Sequence, residues 1–183
     1  MIHPVETYGN AVLREKATAV SRFGDELKAL SRDLLESMYA SHGLGLAAEQ
    51  IGRTEAVFVV DVSVMESDDE PFDTGAPAGL AMPVTLVNPR IVARRGTQSG
   101  QEGCLSFPDV YVKIERSMEV DVEYQDIEGN EQSFTAAGLF ARAVQHELDH
   151  LEGTLLVDHM SPLQKVAQAG KLKRLRRLKR ESR

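Results

Sequence analysis

Two histidines four residues apart, with a glutamate directly after the first, stand in His146-Glu147-Leu148-Asp149-His150. On a helix of about 3.6 residues per turn, positions i and i+4 lie about 40° apart around the axis, so both imidazoles can reach one cation. Glu147 sits about 100° round from His146, outside a comfortable chelate but close enough to touch a water on that cation. The spacing divides the labour: the histidines bind metal and the glutamate transfers protons. Two surface histidines can also share this spacing and do nothing, so a third ligand decides. A catalytic site of the zinc type takes three protein ligands and keeps one position for water. Toward the C-terminus the search fails. Gly153 stands where the long zinc-protease pattern continues, but Leu156 occupies the position of its third histidine and His159 lies three residues beyond. Glu152 is too near to fold back, and Glu181 is embedded in a basic tail.

Upstream lies the only cysteine, Cys104, in Glu102-Gly103-Cys104-Leu105-Ser106. A lone cysteine is often a small buried hydrophobe, and it can also be a nucleophile paired with a distant histidine. With a two-histidine chelate short of one partner in the same domain, ligation is the better account. A thiolate suits borderline and soft divalent metals, and Gly103 lets backbone approach closely. A sulfur held by the metal cannot also attack, so the nucleophile is water. A third segment, Gly43-Leu44-Gly45-Leu46-Ala47-Ala48-Glu49-Gln50, is small and glycine-rich. Its glycines either end the preceding helix or expose backbone polar groups to a peptide. In the second case the Gln50 amide can be aimed at a developing oxyanion. The segment lacks the basic residue of a phosphate loop and the spacing of a dinucleotide loop.

Gly43-x-Gly45-x-Ala47-Ala48-x-Gln50, Glu102-Gly103-Cys104-Leu105-Ser106 and His146-Glu147-x-Asp149-His150, intact and in this order, together resemble the signature of the peptide deformylases. The resemblance implies that Cys104, His146 and His150 hold a metal, that Glu147 is the general acid/base, and that Gln50 with the Leu105 backbone N–H stabilises the oxyanion. It places Gly45 beside the substrate backbone and makes Leu46, Leu139 and Ala143 candidates for a methionine pocket. Helix spacing adds support for two of these, since Ala143 and Leu139 precede His146 by three and seven residues on one face. Gly43 and Gly103 complete the candidate substrate contacts. The implied activity is removal of the formyl group from the N-terminal formylmethionine of nascent chains by a metal-bound water. The implied metal is Fe2+, with Zn2+, Ni2+ or Co2+ as substitutes.

These residues must be positioned by a fold that the rest of the chain encodes. A length of 183 residues with 42% hydrophobic content suits one domain with a real core. Residues 25 to about 41 read as a helix with Leu27, Leu30, Leu34 and Met38 on one stripe. Residues 56–62 and 85–93 read as strands, and Met118, Val120, Val122 and Tyr124 alternate with acidic residues. Ile127-Glu128-Gly129-Asn130 supplies a hairpin turn, and Ala136 or Gly138 opens the metal-bearing helix. The expected fold is α+β, one domain with antiparallel or mixed sheets around a central metal-binding helix, followed by a C-terminal helix. Asp149 is expected to orient its neighbours rather than to ligate, and Glu102 to pair with Arg116 across neighbouring strands.

Charge is distributed unevenly. From Lys165 onward nine Lys/Arg face one acidic residue, a net of +8, so the preceding residues carry −15 of the total of −7. We divide the chain into a catalytic domain, 1–163, and a basic helical tail, 164–183, in which Leu172, Leu175 and Leu178 form an apolar stripe. Docking on the acidic domain, a membrane surface, or the ribosome near the tunnel exit would each suit this tail, and the ribosome suits an enzyme acting on emerging chains. Residues 63–83, acidic and rich in Pro and Gly, read as a long mobile surface loop, with a substrate lid as the sharper alternative. One cysteine excludes an internal disulfide framework, and neither a signal pattern nor a membrane span is legible, so the expected location is the cytoplasm. Two other functions remain: a different metal-dependent amidase, and a ribosome-associated module whose metal is structural, which requires a fourth protein ligand.

Overall fold

The computed structural model describes residues 1–65 and 73–181. Three helices, α1 (Asp25–Ala40), α2 (Gly138–Leu151) and α3 (Pro162–Glu181), accompany seven strands. These are β1 (Gly45–Ala47), β2 (Val57–Val60), β3 (Val84–Arg95), β4 (Gln98–Gly103), β5 (Tyr111–Arg116), β6 (Glu119–Gln125) and β7 (Glu131–Ala137). One sheet has the order β1-β2-β3-β6-β7, and β4 with β5 forms a separate hairpin. Every pairing between these strands is antiparallel, so the architecture is α+β with antiparallel rather than mixed sheets.

The larger sheet lies between α1 and α2. All four residues of β2 are buried, and period-two alternation sends them to opposite faces. Phe58 and Val60 join Phe140, Ala141 and Val144 of α2, whereas Val57 and Val59 join Leu27, Leu30, Leu34 and Met38 of α1. A third cluster packs Val112 and Ile114 of β5 against Tyr8, Phe107, the segment Leu155 to Val157, and Leu175 of α3. Val120, Val122 and Tyr124 alternate inward along β6 as the sequence predicts. The β6–β7 hairpin turns at Gly129 (φ +91°), with the Gly129 N–H donating to the Asp126 carbonyl at 3.0 Å.

No side chain caps α2, whose N-cap residue is Ala137. Its first amides are satisfied by distant backbone instead: Ala137 N–H donates to Gly75 O (2.9 Å), Gly138 to Met118 O (3.0 Å) and Phe140 to Thr74 O (2.8 Å). Gly75 has φ +76°, and a Cβ there would meet the Ala137 carbonyl oxygen at 2.1 Å. Within the stretch 63–83, read from sequence as a surface loop, Asp73, Ala78, Gly79, Ala81 and Pro83 are exposed, but Thr74 is buried and with Gly75 clamps the start of α2, because those amides require acceptors. The acidic run 66–72, on which the lid reading rests, lies outside the described residues. Among the described residues no helix is long and apolar enough to cross a membrane.

Candidate metal centre and active site

Helix α2 carries His146 and His150 on one face, with ring centroids 5.2 Å apart. Cys104 follows directly after β4, and its Sγ lies 3.3 Å from Nε2 of His150. Ligand atoms of Cys104, His146 and His150 all fall within 4.8 Å of one another. Two elements distant in sequence thus converge on one point. Burial disfavours the Cys104 thiolate, yet His150 and His146 outweigh it and bring the thiol pKa down to about 5. The His146 pKa is raised: burial lowers it, but Cys104 and Glu102 beside it more than compensate. A soft thiolate and two imidazoles in this arrangement can hold a divalent metal.

Glu102, at 4% side-chain exposure, fixes the orientation of His146 by accepting from its Nδ1 at 3.0 Å, which turns Nε2 toward the cluster. Arg116 donates to both Glu102 oxygens at 2.9 Å, and Arg142 adds a bond of 2.7 Å. Burial would raise the Glu102 carboxyl, but His146 and Arg116 hold it well below the usual carboxylate range. Arg116 continues to Asp149 at 2.6 Å, which also accepts from His159 at 2.7 Å. The Glu102–Arg116 pair and the orienting position of Asp149 are therefore where the sequence reading put them. Arg142 is a partner it missed, although its position four residues before His146 places it on the same helix face.

Glu147 is 5% exposed, and its Oε2 has no hydrogen-bond partner among the described residues. Burial pushes its pKa up to about 7. It lies against Gly45, where an added Cβ would stand 2.5 Å from Glu147 Oε1, so only glycine leaves room for the carboxylate. Gln50 is anchored through Oε1, which accepts from the Ala47 N–H at 2.9 Å. Its Nε2 donates to Ser106 Oγ at 3.2 Å and approaches Cys104 Sγ at 3.7 Å. The Leu105 backbone N–H makes no hydrogen bond among the described residues.

A cleft of about 620 Å³ opens over this cluster. Gly43, Gly45, Gln50, Gly103, Leu105, Leu139 and Ala143 all line it, together with Cys104, His146 and Glu147. His150, at 2% exposure, lies behind this lining and reaches Cys104 from there. Leu46 is a correction: it is fully buried beneath α1, and the neighbouring Leu44 lines the cleft instead. Gly103 makes room for the Tyr111 ring, since a Cβ there would lie 2.9 Å from the ring edge. The outer wall, Phe107 to Tyr111, carries no motif and was not found from sequence. The alternation of Val112 and Ile114 with polar residues is the signal from which the strand behind it could have been read. Among the described residues β1 pairs with no strand but β2, so its other edge, where the Ala47 N–H meets Gln50, has no strand beside it at the cleft.

Comparison with known proteins agrees with this geometry. The polypeptide deformylase family model matches residues 2–166. A peptide deformylase of Acidobacterium capsulatum is 38% identical over 177 residues, covering 97% of each chain. A crystal structure of a peptide deformylase from Legionella pneumophila has a TM-score of 0.83 at 34% identity, covering 98% of each chain. That of a peptide deformylase from Synechococcus elongatus, in complex with actinonin, has a TM-score of 0.80 at 38% identity, covering 93% of this chain and 90% of that one. With nearly its whole length matched in sequence and in fold, this chain belongs to the polypeptide deformylase family.

Proposed function

We propose that this enzyme hydrolyses the formyl group from the N-terminal formylmethionine of nascent polypeptides, using a metal held by Cys104, His146 and His150. The observation that carries this reading is the convergence of those three ligand atoms beside a buried, unpartnered Glu147 at the floor of a cleft with a strand edge that no other strand pairs among the described residues. A peptide can lie along that edge of β1 by strand addition, with Gly43 and Gly45 offering backbone without side-chain obstruction. Leu139 and Ala143, two turns and one turn before His146 respectively, receive the methionine side chain.

A bound divalent metal supplies Lewis acidity and lowers the pKa of water. Glu147 accepts a proton from the attacking water, whose oxygen bonds to the formyl carbon. The Gln50 amide and the Leu105 N–H donate to the oxygen on which negative charge develops. Glu147 then returns the proton to the departing nitrogen as the C–N bond breaks, giving formate and a free methionyl amine. Ligand chemistry suits Fe2+, Zn2+, Ni2+ or Co2+, and we assign Fe2+ as the resident ion, checked by anaerobic metal analysis with activity per metal.

We assign α3 of this cytoplasmic enzyme as a contact to the ribosome near the tunnel exit. Lys165, Lys173 and Arg174 are exposed, whereas Lys171, Arg176 and Lys179 bond back to the body of the protein. The catalytic unit 1–163 and the basic unit 164–183 thus differ in role while sharing a packed face. Reversing the charge of Lys173 and Arg174 weakens salt-sensitive ribosome binding and spares turnover of a free peptide; unchanged affinity refutes the contact. The decisive test of the activity is formate release from formyl-Met-Ala, lost with chelator and restored by metal. An acetyl-Met-Ala control separates a deformylase from a broader amidase. Glu147→Gln keeps its metal and loses turnover by 100-fold or more, about the contribution of a general acid/base; loss of metal along with turnover would contradict the role.

A further inference from the structure

The sheet of β4 and β5 has only two strands, and among the described residues β5 pairs with no strand but β4, so its outer edge is unpaired. Such an edge exposes alternate carbonyls that need donors. Helix α3 supplies them from one stripe: Gln164 Nε2 donates to Lys113 O at 3.2 Å, Gln168 Nε2 to Tyr111 O at 3.5 Å, and Lys171 Nζ to Asp109 O at 2.6 Å. The donors recur at i, i+4 and i+7, and the acceptors at every second residue in the opposite direction. Tyr111 and Lys113 lie on β5, and Asp109 lies in the turn that leads into it. Behind them Leu172 and Leu175 pack into the cluster with Phe107 and Val110. Arg176 lies over the Tyr8 ring at 4.8 Å, and Tyr8 stacks on Phe107 at 4.7 Å.

Of the residues held from behind, Phe107, Asp109, Val110 and Tyr111 line the cleft in front, while Lys113, the next outward-facing rung of β5, anchors the strand that carries them. Asp109 has φ +64°, a left-handed conformation that costs an L residue, and the Lys171 ammonium on its carbonyl helps to hold it there. Gly45 marks the catalytic end of the cleft because it touches Glu147. The last rung of the β4–β5 ladder pairs Gly103 with Tyr111, so Phe107 to Val110 form the hairpin end beyond it.

We propose that Gln164, Gln168 and Lys171 are positioning residues of the substrate cleft: from the basic helix they set the wall that meets the peptide residues following the methionine. This rests on the deformylase reading above. Contacts to those following residues are made equally in ground and transition states, so loosening the wall raises KM and leaves kcat in place. The test compares the unsubstituted metalloenzyme with the triple variant Gln164→Ala, Gln168→Ala, Lys171→Ala on two substrates, N-formylmethioninamide and formyl-Met-Ala-Ser. The expected result is a KM for the tripeptide raised about five- to tenfold with kcat within twofold, and both constants for the amide within twofold. Lys171→Ala alone, at an exposed position, gives a smaller change in the same direction, and Lys171→Arg, which keeps a donor, reverses it. An unchanged tripeptide KM, or equal losses on both substrates, would overturn the proposal while leaving the deformylase reading intact. Failure of the unsubstituted protein to hydrolyse either substrate would overturn both.

Discussion

Glu49 lies fully buried in the 3-10 turn Ala48–Ile51, and neither of its carboxyl oxygens has a partner among the described residues. Burial pushes its pKa from an ordinary 4.5 up to about 8, with the charges of Glu147, Glu55 and Glu15 adding to the rise. Between those values the unfolded chain has released its proton and the folded one keeps it, so stability falls as pH rises. Linkage puts the loss at about 0.4 kcal/mol at pH 4.5, about 3 kcal/mol at pH 7 and about 4 kcal/mol at pH 8, above which it flattens. Glu49→Gln keeps the shape of the protonated carboxyl and cannot ionise. Relative to the unsubstituted protein it gains about 3 kcal/mol between pH 4.5 and pH 7, whatever constant offset the amide introduces. Urea unfolding of both proteins over a matched pH series, at one fixed metal concentration, measures the difference directly. A difference that does not change with pH would refute the reasoning, because it would mean that Glu49 keeps its ordinary pKa in the folded protein.

Three further outcomes follow from the cleft. Gly45→Ala drives a methyl group into Glu147, and displacing a reacting group by about 1 Å costs about 100-fold, so kcat falls by that order at unchanged metal content; normal turnover in steady-state assays would mean that Glu147 acts from another position. Gln50→Ala removes one oxyanion donor, worth about 2.7–4 kcal/mol, and lowers kcat at least about 100-fold in the same assay. Arg116→Met strips the buried Glu102 carboxylate of its bidentate partner, with side chains 6% and 4% exposed, and destabilises by about 3–5 kcal/mol in denaturant unfolding. The same variant loosens the carboxylate that orients His146 and weakens metal affinity about 10- to 100-fold in competition with a chelator.

Much of this was legible because the signals are short-range. The α1 stripe at Leu27, Leu30, Leu34 and Met38 and the β6 alternation at Val120, Val122 and Tyr124 are periodicities that a packed face imposes on any sequence. The histidine pair was legible for the same reason: one helix brings both rings together. Cys104 was reached by a chemical requirement, a third ligand, rather than by any local pattern. What stayed hidden is long-range. The clamp of Thr74 and Gly75 on α2 uses backbone groups, which leave no trace in side-chain composition beyond one glycine. The wall from Phe107 to Tyr111 becomes a wall only when β5 folds back on β4. Leu46 was misplaced because β1 has three residues, too few for alternation to say which side faces α1.

The stretch Glu102 to Cys104 shows why the two parts of the metal centre cannot be treated separately. Cys104 offers a ligand atom just after β4, while Glu102, two residues earlier, reaches across to orient His146 on α2. One turn of strand therefore sets two of the three ligands. Arg116 and Arg142 hold Glu102 from β5 and from α2 respectively, so the hairpin and the helix are tied through a single carboxylate. A buried ion network of this kind gains little net stability, because desolvation offsets most of the Coulomb attraction. Its value lies in position: with its carboxyl held far below the usual range, Glu102 stays ionised and keeps the His146 Nδ1 proton in place. The Nε2 lone pair is then available to a cation, and the carboxylate of Glu147, one residue on, has no such partner among the described residues, which is what the proposed proton transfer requires.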